Sequence, residues 1–352
     1  MTHAPKLGRG TWQLGTLIEQ APGLQILADT LADLVDEGRP IVACTADLKH
    51  SNGLVRFEQR HPERFFQFGI SEQNMVTAAA GMATTGLEPY VATFASFLAL
   101  LCAEQIRTDI AYTGQRVRLI GHHSGITLGF YGTSHHATED LAVIRAMAGM
   151  TVLAPADARS LAAAVRAAAD WPGPIYMRIG RGREPDVYEP EQLREFEIGK
   201  AIEHVAGAEL TIIATGSCVH SALEAVGLLR ARGHDVGVLD MHTVKPLDTD
   251  AVRRAAGNSA ALMTVEEHNV IGGLGGAVAE TLADIGAPVP LRRHGLEDTY
   301  SLIGPPTHLM RHYRLDGTGI AEVAGEILAA GKGGSDHRAV GFADGAEPRQ
   351  RG

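Results

Sequence analysis

Four histidines fall within fifteen positions, as two adjacent pairs, His122-His123 and His135-His136, on either side of a glycine-rich run from Ser124 to Ser134. Imidazole gains and loses its proton near neutral pH, so such a cluster suits hydroxyl recognition and proton transfer. It also suits a transition metal. No carboxylate or cysteine completes a known ligand spacing around it, and adjacent histidines seldom aim at one ion, so metal binding is the weaker reading. Upstream, Glu72 stands in Gly69-Ile70-Ser71-Glu72-Gln73-Asn74-Met75, between an aromatic-rich segment and an alanine-rich one. Taken alone it reads as a carboxylate in the first turn of a helix, with Ser71 as N-cap. Held out of water, the same group would have a raised pKa and could share a proton with a weak base. Phe94 and Phe97 are three apart and share one helical face. They read as core phenylalanines or as an apolar shelf for a flat ring.

The elements that position these groups follow an α/β pattern of short apolar runs alternating with amphipathic helices. Strands are expected at Ile41–Leu48, Tyr90–Thr93, Val117–His123, Thr151–Pro155 and Pro174–Gly180. Helices are expected at Gln73–Thr84, Phe97–Tyr112, Thr138–Met147 and Ala158–Ala169. A charged segment with Pro185 and Pro190 then breaks the pattern and reads as a linker over 181–199. A second unit follows, with strands at Leu210–Gly216, Asp235–Met241 and Ala261–Glu267 and helices at Val219–Arg232, Gly275–Ile285 and Gly319–Ala330. The expectation is two three-layer α/β units with mainly parallel sheets, over 20–180 and 200–330. An N-terminal arm covers 1–19 and a disordered polar tail 331–352.

Bulk properties narrow the function. The 352 residues carry a net charge of -10, which argues against a nucleic-acid or anionic-membrane surface as the main business. Cys44, Cys102 and Cys218 are odd in number and sit in apolar segments, so they read as buried free thiols in a reducing compartment. The N-terminus lacks a hydrophobic signal region, and no apolar run approaches the roughly 20 residues that span a bilayer. A cytoplasmic location is expected. The run Gly272-Gly273-Leu274-Gly275-Gly276 invites a nucleotide reading, but Val278 stands where a dinucleotide fingerprint needs its third glycine. A tight strand-to-helix turn suffices.

In order, Asp47-Leu48 with Ser51-Asn52, Gly69-Ile70-Ser71-Glu72-Gln73-Asn74-Met75, Thr93-Phe94-Ala95-Ser96-Phe97, His122-His123-Ser124 and Gly132-Thr133-Ser134-His135 resemble the pyrimidine-binding domain of the transketolase family. The stretch Thr264 to Gly275 is similar to the C-terminal domain of that family. Each motif is weak alone; the ordered set, over roughly residues 20–330, is specific. The resemblance implies a thiamine-diphosphate-dependent transferase that moves a two-carbon ketol unit between sugar phosphates. It implies that Glu72 hydrogen-bonds the aminopyrimidine ring, that Phe94 and Phe97 pack on it, and that Asp47 and Ile70 belong to the cofactor site. By the same resemblance His122 and His135 hydrogen-bond substrate hydroxyls, and Ser51 and Arg178 hold a substrate phosphate.

The chain also departs from the family pattern. Counted from His122, the loop to His135 is one residue longer than usual, Tyr131 replaces an acidic residue, and Leu100 replaces a third aromatic. The family's Gly-Asp-Gly segment for the diphosphate and its Mg²⁺ is not found in a suitable place; Asp316-Gly317 and Asp344-Gly345 lie near the end. The resemblance therefore implies a partner chain that carries the diphosphate-binding domain and Mg²⁺, in an α₂β₂ assembly. The rivals are a 2-oxo-acid dehydrogenase β subunit, a deoxyxylulose-phosphate-synthase-like enzyme and, in another class, a non-catalytic regulatory paralogue.

Overall fold

A seven-stranded sheet is built largely from the first half of the chain and a five-stranded sheet from the second. The computed structural model describes residues 22–193 and 196–332. The expected arm over 1–19 lies outside the described residues, as does the expected tail except for 331 and 332, which continue the helix Gly317–Lys332 instead of being disordered. The first sheet holds β1 (Ile41–Thr45), β2 (Phe65–Gln67), β3 (Glu88–Phe94), β4 (Arg118–His122), β5 (Thr151–Leu153) and β6 (Ile175–Arg178). These run parallel in the order β5-β6-β4-β3-β1-β2. Parallel pairing demands crossovers, and crossover helices cover both faces. Every residue of β1, β3, β4, β5 and β6 is accordingly buried.

The two-residue period of the strands divides their side chains between two cores. Ile41, Ala43, Tyr90 and Ala92 pack with the helices Pro22–Asp36 and Ala158–Asp170. Cys44 and Val91 pack with Met75 and Val76 of the helix Glu72–Thr84 and with Leu98 and Ile106. The segment expected as one helix over Phe97–Tyr112 is helical but irregular, with π turns at Phe97–Leu101 and Ile106–Ala111. Such turns occur often at functional sites. All three cysteines are free and buried. No helix among the described residues is long and apolar enough to cross a membrane.

The second unit contains β7 (Ile202–Val205), β8 (Leu210–Ala214), β9 (Val236–Asp240), β10 (Thr243–Lys245), β11 (Leu262–Asn269) and β12 (Leu291–Leu296). Its sheet has the order β12-β11-β8-β9-β7, parallel except for the edge strand β7. The strand β10 leaves this unit and pairs antiparallel with β5, as the seventh strand of the first sheet. The two units are thus interlocked rather than joined by a tether alone. Lys245 on β10 donates to the carbonyls of Arg145 and Met147, 2.9 and 2.5 Å away, where a cation meets the negative end of the helix Asp140–Ala146.

The segment expected as a linker is pinned as well. Its Val187 and Tyr188 amides donate to Asp157 Oδ2 at 2.7 and 3.1 Å, and the Tyr188 hydroxyl donates to Asp240 Oδ2 at 2.5 Å. The other Asp157 oxygen caps the helix Ala158–Asp170 through the Ser160 amide at 2.7 Å. One carboxylate therefore starts a helix and fixes the crossing between units. Asp157→Ala removes the cap and strands two buried donors, so a loss of about 2–4 kcal/mol in urea-unfolding stability is expected.

Candidate active site

The carboxyl ends of adjacent parallel strands bring the candidate groups to one edge, where open α/β sheets place their sites. Asp47 and Ser51 follow β1, Ile70 and Glu72 follow β2, and Phe97 follows β3, which ends on Phe94. His123 follows β4, and Arg181 follows β6. Asp47 has a φ of 57° and donates its amide to Gln67 Oε1 at 2.6 Å, which ties the turn after β1 to β2. Ser51 is half-buried. Its neighbour Asn52 is the braced residue, donating to Thr45 Oγ1 at 3.0 Å and to the Ala92 carbonyl at 2.7 Å. Ile70 is 85% exposed at the rim.

Glu72 is the first residue of its helix and is 7% exposed. Ser71 precedes it but makes no side-chain cap bond, so the expected capping role of Ser71 is not taken up. The Glu72 carboxylate has no hydrogen bond or ion pair among the described residues. The residue is largely covered, yet its oxygens are not among the sealed polar atoms without a partner, so the carboxylate tip stays open at the sheet edge, where a ligand can meet it. Its helix packs on the turn that carries Phe97, and Gln73 Nε2 donates to the Leu101 carbonyl at 3.0 Å across that joint.

Five rings assemble over this floor. Phe94 and Phe97 lie 5.5 Å apart between centroids. His123 sits edge-on to Phe94 at 4.9 Å, and His135 is 5.6 Å from Phe94 and 5.1 Å from Phe97. Tyr131 lies 4.8 Å from His135, whose Nδ1 is 2.8 Å from Ser134 Oγ. Offset and edge contacts of this kind order the rings without closing the space between them. Burial lowers the His135 pKa below its ordinary value, which keeps the ring neutral and able both to accept and to donate.

The structure places two of the expected substrate groups, His122 and Arg178, at the last positions of buried strands. His122 is the last residue of β4; it is fully buried, and neither ring nitrogen has a partner. His123, one step beyond the strand, is buried as well, at 1% exposed; its ring meets Phe94 and lies within electrostatic reach of His135. Its φ of 55° turns the ring out of the strand's alternation. Counted from His123, the loop to His135 loses the extra residue that counting from His122 produced. Arg178 is likewise the last residue of β6 and is 3% exposed. Its Nε donates to Asp140 at 3.0 Å and its Nη2 to the carbonyls of Ala137 and Glu267 at 3.2 and 2.7 Å. These bonds occupy Nε and Nη2 and tie the guanidinium into the junction with β11. Arg181, past the strand end, lies within electrostatic reach of His123 and Tyr131. The signal was present in Met177-Arg178-Ile179-Gly180-Arg181: a strand covered on both faces buries its last residue, and the chain is free to face solvent only after it leaves the sheet.

The glycine-rich run after β11 is a strand-to-helix turn. Glu266 accepts the amides of Leu274 and Gly275 at 2.6 and 2.8 Å, so the protein's own carboxylate fills the helix N-terminus where a phosphate would bind. A Cβ on Gly273 would collide with Glu266 Oε2, which explains the glycine there. The four clustered histidines do not converge on a metal site: among the described residues, no group of three or more His, Cys, Asp or Glu side chains is placed to hold one.

Residues 22–185 match the sequence profile of the transketolase pyrimidine binding domain, and residues 199–320 that of the transketolase C-terminal domain. The chain belongs to the transketolase family. It is 39% identical over 300 residues to an apulose-4-phosphate transketolase subunit of Phocaeicola vulgatus, spanning 85% of this chain and 95% of that protein. It is 38% identical over 305 residues to a 6-deoxy-6-sulfo-D-fructose transketolase subunit of a Clostridium species, spanning 86% and 94%. A solved split-gene transketolase, an inactive β₄ tetramer, superposes with a TM-score of 0.80 at 37% identity over 87% of this chain and 98% of that one. This transketolase-family chain is therefore a transferase of the sugar-phosphate-converting type, and its pyrimidine-binding domain implies dependence on thiamine diphosphate.

Two outcomes follow for this site. Arg178→Ala leaves Asp140 buried and unpaired and is expected to cost about 3–5 kcal/mol in chemical denaturation, with the damage in folding rather than in substrate affinity. Burial pushes His122 down to about 3, so the folded state refuses a proton that the unfolded chain takes up below its ordinary pKa. That contribution is unfavourable and grows as pH falls, by up to about 1.4 kcal/mol per pH unit below about 6.5. Comparing urea unfolding of His122→Gln and wild type from about pH 7 to about pH 5, the difference should shift steadily in favour of the variant.

Proposed function

We propose that this chain is the pyrimidine-binding subunit of a split transketolase. It would transfer a two-carbon ketol unit between sugar phosphates only when paired with a second polypeptide that carries the diphosphate-binding domain and Mg²⁺. An α₂β₂ assembly in the cytoplasm is the form this reading favours. The observation that carries it is the unpartnered Glu72 carboxylate, on the helix that packs against the Phe97 turn and at the same sheet edge as His123 and His135. Two further facts support it. Both subunit relatives are covered almost end to end by this chain, and the solved split-gene relative is inactive as a tetramer of its β chains alone.

The residues fit the aminopyrimidine of thiamine diphosphate. Glu72 would hydrogen-bond a ring nitrogen. Phe94 and Phe97 would pack against the flat ring. Bound there, thiamine diphosphate supplies the carbon nucleophile and electron sink that the chemistry needs. His123 and His135 pack beside the phenylalanines. As neutral imidazoles they would accept and return protons at the hydroxyl oxygens of the sugar, while the surrounding rings exclude water. Arg181, as a guanidinium fork past β6, would bind the phosphate at the far end of the chain. Ser51, Asp47 and Ile70 complete the rim of the site in this reading. Units bounded near 20–180 and 200–330 remain the proposed domains, with β10 exchanged between them.

The test is to co-express the chain with its candidate partner, isolate the complex with thiamine diphosphate and Mg²⁺, and assay ketol transfer from ketose phosphates. Wild-type complex should turn over, while Glu72→Gln should lose about 10²–10⁴-fold in kcat with little change in Tm. His123→Ala should lower kcat/KM by about 10²-fold. Turnover of pyruvate without ketol transfer would favour the synthase or dehydrogenase reading. Equal activity of Glu72→Gln and wild type would sink the proposal.

A further inference from the structure

The loop from Gly125 to Ala137 carries Tyr131 and His135 and begins just after His123. It is closed at its neck by a two-bond bridge, with Gly125 N–H donating to Ala137 O at 3.1 Å and Ala137 N–H to Gly125 O at 2.9 Å. Nothing in that neck fixes how the loop leans over the sheet edge. The first unit ties the far end of the loop, where Ser96 Oγ donates to the His135 carbonyl at 3.3 Å, and the second unit ties its start. Glu267 on β11 is 1% exposed and reaches across the junction. Its Oε1 accepts the Ile126 amide at 2.7 Å, and its Oε2 accepts the Ser217 hydroxyl at 2.8 Å. The approach is so close that a Cβ on Gly125, whose φ is +59°, would collide with the Glu267 carboxyl carbon.

Other points of attachment lie along the same loop. The Glu267 carbonyl accepts Arg178 Nη2 at 2.7 Å, and the same nitrogen donates to Ala137 O at 3.2 Å, so one guanidinium joins the loop neck to β11. Asn269 N–H donates to Thr138 O at 2.8 Å. At the far side, Gly304 N–H donates to Gly129 O at 3.0 Å, and Ile303 lies against Gly132. Of these ties, the Glu267 carboxylate is the one side chain of the second unit that hydrogen-bonds the loop's own backbone.

We infer that Glu267 is a positioning residue for the transferase reaction: through the Ile126 amide, the C-terminal domain sets the placement of the loop that carries Tyr131 and His135. This assigns the second unit a part in the reaction although it lends no side chain to the cluster of rings. The inference rests on the proposed role of His123 and His135 at substrate hydroxyls. A small displacement of such groups is costly, because a misplacement of about 1 Å can lose about 10²-fold in rate. The required interaction is an acceptor, not a charge. Glutamine in the same rotamer presents Oε1 to Ile126 N–H and can donate from Nε2 to the Ser217 hydroxyl oxygen.

Two measurements test it. Hydrogen exchange on the isolated full chain reads the tether without any assay of activity. Glu267→Ala should raise exchange in the peptide spanning 123–138, Ile126 above all, and Glu267→Gln should leave it close to wild type. In the reconstituted complex, Glu267→Ala should lower kcat/KM by about 10–100-fold, with thiamine diphosphate affinity held within about twofold and activity restored by Glu267→Gln. Unchanged exchange in Glu267→Ala would overturn the inference. So would increased exchange with unchanged kcat/KM, equal loss in both variants, or a matching loss of cofactor affinity that marks general unfolding. A wild-type complex without ketol transfer would instead count against the proposed function, and the exchange result would still decide whether Glu267 orders the loop.

Discussion

The guanidinium of Arg178 is the joint on which the arrangement depends. It lies buried between the two units, neutralised by Asp140 and bound to carbonyls of Ala137 and Glu267. Tyr176 donates its hydroxyl to the same Asp140 at 2.7 Å, so the aspartate is held from two sides. A charge pair this deep contributes little net stability by itself, since desolvation offsets most of the attraction. What it contributes is definition. Each partner has one place where its hydrogen bonds are met, and those places fix β6, the loop neck and β11 relative to one another.

From that joint the logic of the site follows outward. Parallel strands buried on both faces force polar chemistry to their ends, and five adjacent strand ends supply the turn residues Asp47 and Ser51, the carboxylate Glu72, the phenylalanine pair, His123 and Arg181. The aromatic contacts keep these groups near one another while leaving the Glu72 carboxylate unmatched. An acid left unmatched at a sheet edge is available to a ligand there. The second unit bears on the same edge by two routes. β10 completes the first sheet, and Glu266 and Glu267 divide their work, one closing its own helix N-terminus and the other reaching the loop.

Much of this was legible in the residues. The alternation of apolar runs and helices located β1, β3, β4, β5, β6, β8, β9 and β11 within a few residues, because buried parallel strands leave a dense apolar signal. The short edge strands β7, β10 and β12 were not located. They carry Glu203, Lys245, Arg292 and Arg293 and are partly exposed, so their composition resembles that of loops. At the site the sequence does not resolve on which side of a strand terminus a residue falls: His122 and Arg178 close β4 and β6, and His123 and Arg181 lie past those ends.

The sequence alone determined the fold class, the family resemblance and the chemical inventory: an acid in Glu72, the phenylalanine pair, and histidines and arginines near strand ends. These depend on local composition and order, which no folding is needed to read. Only the tertiary structure decided which of these residues close a strand and which lie past its end, and that the presumed linker and β10 lock the two units together. It alone placed the Glu267 carboxylate against the amide of Ile126, 141 residues away in the chain. Such contacts are set by how two separately patterned sheets dock, and no spacing within either records the distance between them.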